Sequence, residues 1–466
     1  MPSLSVQSRT GELVLLDESA AERLGAGLRG GLLRPGDHAY EQARAVWNGL
    51  IDHRPALIAR CSGAADVVQA VAFAREHDLL VSVRGGGHNI AGKAVCTGGL
   101  MIDLSPMRGV AVDSERCTAR VAGGATLKEL DRATQASGLA TTAGVVTHTG
   151  VAGLTLGGGV GRLARRYGLS CDNLRAAEVV TADGRVVRAD ESDNAELFWG
   201  LRGAGANFGV TTSFAFQLHR VGPEVLGGVV VHPLKKAKAA LKFYGEYSLS
   251  APDELSADAI FLTSPDGDPL LAISACYIGS VEEGERVLRP LRQFGPPLVD
   301  GIGPVAYTEL QAAADTFFPT GLRYYWKSHF LERIADDTVE ATVDHFARAP
   351  SPRSLIVFQQ YGGAVSRVDP SATAFRPRNA QYDNFAASIW TDPGELQTQR
   401  QWVRRWWDMV RPFSLGAEYV NNLGEEGEER VRAAYGGNYE RLVSLKNTYD
   451  PENLFRLNAN IRPSGR

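Results

Sequence analysis

The stretch Leu79-Leu80-Val81-Ser82-Val83-Arg84-Gly85-Gly86-Gly87-His88-Asn89 joins an apolar run to three successive glycines and a histidine. Leu79–Val83 predicts a strand. Before it, Ala64–His77 carries Val67, Val68, Val71, Phe73 and Ala74 at helical spacing, and Pro55–Arg60 is a further apolar run. The three segments predict a strand–helix–strand unit. Glycines after its second strand let the backbone approach another group closely, and successive free amides there form a concavity for an anion. From Gly87 to Lys93 the spacing also fits Gly-x4-Gly-Lys of a P-loop. Ala94 stands where that loop needs a Mg²⁺-binding hydroxyl, and the text after it reads as turn and strand rather than helix, so a nucleoside triphosphatase is set aside.

Working outward, strands are predicted at Leu100–Leu104, Gly109–Asp113 and Thr118–Ala122, then a helix from Thr126 to Ser137 closed by Gly138. A second glycine cluster spans Gly150–Gly161. Strands Ala176–Thr181 and Arg185–Ala189 flank the hairpin turn Ala182-Asp183-Gly184. A third glycine stretch, Arg202–Gly209, precedes the strand Val210–His219. Upstream, Glu22–Arg29 and Tyr40–Trp47 read as helices, the second with Asp37 as its N-cap. Three glycine-rich loops in one domain, with no Gly-x-Gly-x-x-Gly opening a helix, point to a cofactor whose pyrophosphate is held by loops rather than by a dinucleotide-binding crossover.

After Gly222-Pro223 the pattern changes. Strand runs Leu226–His232, Ser256–Ser264, Ala272–Ile278 and Ser354–Tyr361 mix with amphipathic helices near Leu234–Tyr247, Asp336–Ala349 and Gln397–Arg411. The chain closes with a helix at Asn438–Asp450 and an extended segment at Leu454–Ile461. The expected fold is α+β in two domains. Residues 1–222 form a loop-rich cofactor domain, 223–414 an antiparallel sheet covered by helices, and 415–466 return to the first domain.

Composition narrows the function. The 466 residues are 44% apolar and 22% charged, which is globular, and 49 Lys and Arg against 53 Asp and Glu give no basic field for nucleic acid. Runs such as Leu226–Val231 fall far short of the roughly 18 residues of a membrane span, and the first twenty residues lack a basic-then-apolar leader. A soluble, cytoplasmic monomer or homodimer acting on a small molecule is the expectation. Five dispersed cysteines without a CxxC argue against a disulfide framework and against zinc, and no metal site is expected. HExxH and GxSxG do not occur.

Five motifs now stand in order: Arg84-Gly85-Gly86-Gly87-His88; Ile102-Asp103-Leu104-Ser105; Gly150-Val151-Ala152-Gly153 with Gly157-Gly158-Gly159-Val160-Gly161; Trp199-x-x-Arg202-Gly203-x-Gly205-x-Asn207-Phe208-Gly209; and Tyr449-Asp450-Pro451-x-Asn453-Leu454-Phe455-Arg456. Together they resemble the berberine bridge enzyme-like FAD-linked oxidases of the vanillyl-alcohol oxidase group, with a PCMH-type FAD-binding domain. The likeness runs from about Gly30 to Pro463. It implies an FAD-dependent oxidase of secondary metabolism that takes a hydride from an alcohol, hemiacetal or amine of a small metabolite or sugar, with O₂ reoxidising the flavin to give H₂O₂. It also implies that the ring of His88 is bonded to the 8α-methyl of FAD. Bicovalent members add a cysteine where this chain has Val146, so a single link is expected, and Cys171 is read as a buried structural residue. The cofactor-binding residues implied are Arg84, Gly85, Gly86, Gly87, His88, Asn89, Ser105, Thr147, Gly150, Gly153, Leu154, Gly157, Gly158, Gly161, Asn207, Gly209, Val210, Asn458 and Asn460. Leu154 takes a slot where plant relatives have a histidine near the flavin's pyrimidine edge, and Thr149 is small enough to leave room for O₂.

The catalytic base is the open point. Many members use the last tyrosine of Tyr-x-Asn-Tyr, whereas this chain reads Tyr419-Val420-Asn421-Asn422. Strand alternation through it puts Tyr419 and Asn421 on one face and Asn422 on the other. Tyr419, Tyr325 assisted by Lys327, and Gln359 with Tyr361 are the candidates, because a phenol beside a cation suits proton abstraction. The missing tyrosine also leaves open a dehydrogenase that does not use O₂, or a non-oxidising binder or cyclase that retains FAD.

Overall fold

The computed structural model describes residues 3–424 and 427–465. The strand–helix–strand unit comprises Leu57–Arg60, Ala64–Glu76 and Val81–Arg84. Both strands pair in parallel with Leu100–Asp103, which lies between them, and Leu32–Leu33 adds antiparallel at the edge. Parallel strands are covered on both faces, which is why these segments are apolar throughout rather than alternating. A second sheet is antiparallel, in the order Val186–Asp190, Leu174–Thr181, Gly209–Gln217, Thr118–Ala122, Val110–Asp113. Arg84 and the glycines after it leave the first sheet toward Gly150 and the helix Val151–Leu156, within the second glycine cluster.

The third sheet has eight antiparallel strands. Its path runs Val299–Asp300, Glu224–Pro233, Pro269–Tyr277, Leu255–Thr263, Leu355–Gln360, Tyr382–Trp390, Arg323–Leu331, with Gly303–Ala306 also on Glu224–Pro233. One face is covered by helices: Ala257, Ala259, Phe261, Ile273, Ala275, Phe358, Tyr382 and Ala386 share a core with Leu241 and Tyr244 and with Trp402 and Trp406. Residues of opposite parity, including Tyr324, Leu355, Val357 and Ile389, pack with Trp47 and Ile90 of the cofactor domain. Period-two alternation therefore sorts this sheet into a helix-facing and a cofactor-facing side.

The C-terminal helix Tyr439–Tyr449 inserts Tyr439, Leu442 and Leu445 into the core formed by the second sheet. Lys446 Nζ, fully buried, donates to Asp450 Oδ2 at 2.7 Å, to the Asn207 carbonyl at 2.7 Å and to the Phe455 carbonyl at 3.0 Å. Asp450 in turn accepts from the backbone amides of Leu454 and Phe455. Each ion is thus satisfied, and removing either partner of such a pair costs about 3–5 kcal/mol. This explains the residues Asp450, Leu454 and Phe455 of the tail motif.

Several elements depart from the sequence expectation. Ser3–Gln7 and Leu13–Asp17 form an unanticipated hairpin. The first helix is Glu18–Gly27, four residues early, because Asp17 accepts from Ser19 N at 3.0 Å and caps it. The next is only Tyr40–Arg44, and Asp37 does not cap it: its carboxylate accepts from Arg34 N at 2.7 Å and closes the preceding turn. The strands Arg323–Leu331 and Tyr382–Trp390 and the helices Val281–Gln293 and Gly427–Tyr435 were also not anticipated. Both strands carry polar and aromatic residues on a face whose cover comes from another domain, so their apolar alternation is weak.

Candidate active site

The glycine loops meet backbone to backbone. A Cβ on Gly86 would lie 2.3 Å from Gly150 N, and one on Gly150 equally close to Gly86 N. One on Gly85 would come within 3.1 Å of the Gly123 carbonyl. Only glycine permits loops to close this tightly. Gly153 is exposed, with nothing within 4 Å of where its side chain would be. The C-terminal tail closes another side: Lys93 Nζ donates to the Asn458 carbonyl at 2.7 Å, and Asn458 Nδ2 to Ala206 O at 2.9 Å. Arg84 Nε, Asn458 Oδ1 and Asn460 Oδ1 are buried polar atoms without a protein partner around this cradle. A glycine-lined hollow edged by unsatisfied donors and acceptors fits a polar, elongated group such as FAD.

Other residues expected to touch the cofactor serve the walls. Gly157, Gly158 and Gly161 make room for Asn421, Phe375 and the Ala143 carbonyl. Asn207 is consumed by Ala204 O, Ala459 O and Ile461 N, and so pins the tail. Val210 is buried in the core and Gly209 packs on Val179 and Val180. Ser105 caps Asp103, and Asn89 accepts from Lys93 N at 3.1 Å. Thr147 gives both its amide and its hydroxyl to Asp315, at 2.7 and 2.5 Å, and so joins the two domains instead of facing the hollow.

His88 sits at the mouth. Its ring stacks on Trp47 with centroids 4.8 Å apart, and Trp47 stacks on Tyr324 at 3.8 Å. His88 Nε2 lies 2.6 Å from His148 Nδ1, and Thr149 Oγ1 is 3.4 Å from His88 Nδ1. Burial, then the neighbouring imidazole, hold His88 down to about 3, so it is neutral at physiological pH. Trp47 is itself fixed across the domain boundary, donating from Nε1 to Phe318 O at 2.9 Å, while Asn48 bonds the backbone of Ile90 and Tyr324. None of Trp47, Asn48 or His148 was singled out from sequence. His148, two residues before Gly150, was the one signal available.

On the cofactor-facing side of the third sheet, register assembles a polar row. Phe330 pairs with Asp383, Asp383 with Gln359, and Asp258 with Ser274; the pairing of Ala259 with Phe358 puts Asp258 opposite Gln359. Asp383 and Asp258 are therefore two strand spacings, about 10 Å, apart. Asn422 Nδ2 donates to Asp383 Oδ2 at 2.8 Å, Ser328 also hydrogen-bonds this carboxyl, and Oδ1 has no partner. Desolvation pushes Asp383 up to about 7 against those two hydrogen bonds. Asp258, which accepts from Gln360 N at 2.8 Å, is pushed up to about 6 by burial. Arg162 crosses from the cofactor domain to Ser274 at 3.3 Å. Trp326, Phe385, Ile260 and Leu262, all half-buried, continue this side of the sheet as an apolar wall.

Two of the expected bases land elsewhere. Tyr325 and Lys327 are on the helix-facing side: Arg404 donates to the Tyr325 hydroxyl at 3.3 Å, and Lys327 Nζ lies over the Trp407 ring. Strand parity placed them there, so neither is brought to His88. Tyr361 is fully buried against Phe330, and its phenol is shifted well upward by burial. Tyr419 does reach the second glycine cluster, but its hydroxyl accepts from Gly159 N at 2.9 Å and Asn421 Nδ2 at 2.8 Å, and burial raises its pKa. Val420–Asn422 is a 3-10 turn rather than a strand. The turn sends Asn421 to the Leu154 carbonyl and Asn422 to Asp383, correcting the alternation expected there. Gln359 does face the cofactor domain, beside Asp383. Cys171 is fully buried beside Asp172, with its thiol pushed well above the ordinary range.

Comparison with known proteins decides what this arrangement is. A family model described as FAD binding domain matches residues 55–190, and one described as berberine and berberine like matches 418–462. An FAD-linked oxidoreductase of Dictyostelium discoideum is 36% identical, covering 94% of this chain and 95% of its own. The chain belongs to the berberine bridge enzyme-like FAD-linked oxidoreductases. The (R)-6-hydroxynicotine oxidase of Paenarthrobacter nicotinovorans is 32% identical over 94% of this chain and 98% of its own. The crystal structure of 6-hydroxy-D-nicotine oxidase from Arthrobacter nicotinovorans superposes with a TM-score of 0.87 at 29% identity, covering 94% and 98% of the two chains. As a member of this family the chain is an FAD-dependent oxidoreductase of the oxidase type. No group of metal-ligating side chains occurs among the described residues, and no helix among them is long and apolar enough to cross a membrane.

Proposed function

We propose that this FAD-dependent oxidase removes a hydride and a proton from a carbon bearing an alcohol, hemiacetal or amine group in a small metabolite or sugar, with FAD bonded once, to His88. Bound FAD supplies the hydride acceptor and passes its electrons to O₂, which is released as H₂O₂. The chain supplies everything else. The loops at Arg84–His88, Gly150–Leu154 and Asn458–Asn460 hold the cofactor, and Thr149 and the open position at Gly153 leave its approach uncrowded.

The observation that carries this reading is the carboxyl of Asp383, on the sheet face turned to the cofactor domain, with one oxygen unpartnered and a pKa near neutrality. A base works best when its pKa lies near the operating pH. Asn422 and Ser328 hold the carboxylate in one orientation. The Asn421–Leu154 hydrogen bond, 3.1 Å, ties the same turn to the cofactor loop, so base and cofactor keep a fixed spacing. Asp383 thus takes the proton of the substrate's hydroxyl or amine while the apolar wall of Trp326 and Phe385 excludes water. The absent motif tyrosine is compensated from the neighbouring strand. The test is to mix the purified protein anaerobically with panels of alcohols, sugars and amines, then admit air. A donor that bleaches the visible flavin band and then yields one H₂O₂ per molecule consumed supports the proposal; bleaching that air reverses without peroxide contradicts it.

A further inference from the structure

We propose that Arg162 and Asp258 form a specificity site for the end of the substrate that does not react, and that this site takes a pair of adjacent neutral hydroxyls, as carried by a sugar or a catechol ring. The proposal rests on the reading that the reacting carbon stands at Asp383. Asp258 and Ser274 oppose each other directly on neighbouring strands, so their side chains rise from one face with Cβ atoms within about 5.5 Å. Arg162, just past the second glycine cluster, brings its guanidinium to the same point, where Nη1 donates to Ser274 Oγ at 3.3 Å. Among the described residues it makes no other hydrogen bond and no ion pair, and its Nε is buried without a partner. Asp258 spends Oδ1 on Gln360 N at 2.8 Å, while Oδ2 has no partner among the described residues. The Gln359 amide, between Asp258 and Asp383 in register, is equally unengaged. Arg162, Asp258 and Gln359 are each half-buried, so a ligand can reach them.

A guanidinium offers donors only and an ionised carboxylate acceptors only. A ligand carboxylate would satisfy Arg162 but be repelled by Asp258, and a ligand ammonium the reverse. Two adjacent hydroxyls satisfy both, one accepting from Arg162 while its neighbour donates to Asp258. Register also sets a length. Ser274 and Asp383 are three strand spacings apart, about 14 Å, of which a hydrogen bond of about 3 Å at each end leaves about 8 Å for the substrate. Ile260 and Phe385, half-buried one layer along the same face, cover the body of the molecule between its two ends.

Titration calorimetry of the FAD-loaded protein under argon tests the site without a known substrate. The buffer is held well above the raised pKa of Asp258, about 6, so that this carboxyl is ionised. Four probes of similar size are compared: phenyl β-glucopyranoside, 4-ethylcatechol, 4-ethylbenzoate and 4-ethylbenzylamine. Wild type should bind at least one diol probe tenfold or more tighter than either charged probe; the glucoside alone assigns a sugar ring, the catechol alone an aryl ring. Arg162→Met should turn the preference toward the benzylamine and Asp258→Asn toward the benzoate, each by tenfold or more with FAD content kept, while Arg162→Lys retains the wild-type order. Asp258→Asn decides alone where Arg162→Met does not fold. Binding of neither diol, a wild-type preference for a charged probe, or an unchanged preference in the variants overturns the inference. The expected preferences in a protein whose flavin no alcohol, sugar or amine bleaches uphold the site and overturn the reading of the reaction instead.

Discussion

Asp383 and Tyr419 are the two residues on which the chemistry of the site divides. Asp383 accepts a proton only when ionised, and its pKa of about 7 lies above the ordinary aspartate range. Below that value the carboxyl is protonated and cannot act, so flavin reduction should rise as pH climbs through about 7 and level off above it. Asp383→Asn should remove this rise and lower the anaerobic reduction rate by roughly 10²–10⁴-fold, the usual worth of general-base help, with FAD content unchanged; stopped-flow absorbance with a bleaching donor measures it. Tyr419→Phe should behave oppositely. It leaves the Gly159 amide and the Asn421 side chain without their acceptor, which costs about 1–3 kcal/mol of stability. Its melting temperature should fall while the reduction rate stays within a few-fold of wild type. Sequence made Tyr419 prominent because the motif it begins is a base motif elsewhere; only the 3-10 turn shows that this chain spends the phenol on holding a loop.

At the scale of elements, the glycine clusters were legible because most of their glycines answer a steric or backbone demand. Gly86 and Gly150 are the plainest case. Gly86→Ala would drive a Cβ to 2.3 Å from backbone that no side-chain rotation can clear, so the two loops must separate. The expected outcome is a folded protein, with circular dichroism near wild type, that retains less than a tenth of the wild-type flavin. Cross-strand rows were not legible in the same way. Asp383, Gln359 and Asp258 are distant in sequence, and only the registers of three strands set them in line. Tyr382–Trp390 and its neighbour Arg323–Leu331 escape apolar periodicity because the buried parity turned to the cofactor domain mixes polar residues such as Ser328 and Asp383 with aromatic ones. The same parity argument, applied once the strands are known, is what moves Tyr325 and Lys327 to the wrong side.

Across the whole molecule, the site exists only where the two domains meet. Trp47 and Asn48 clasp Phe318 and Tyr324, Thr147 clasps Asp315, Arg162 reaches Ser274, and Arg165 donates to the carbonyls of Leu255, Tyr361 and Ala251. These contacts hold the polar row and the apolar wall of one domain over the histidine and glycine loops of the other. Family membership was readable from five motifs in order, whereas these clasps involve single residues with no motif of their own. The central claim is that the assembled cleft reacts with O₂ as an oxidase, and it can be tested without knowing the substrate. Photoreduce the purified protein under argon, mix it with air-saturated buffer, and follow return of the flavin band together with peroxide. Reoxidation much faster than that of free reduced FAD under the same conditions, with one H₂O₂ per flavin, is the predicted result; reoxidation at or below the rate of free reduced FAD would contradict it.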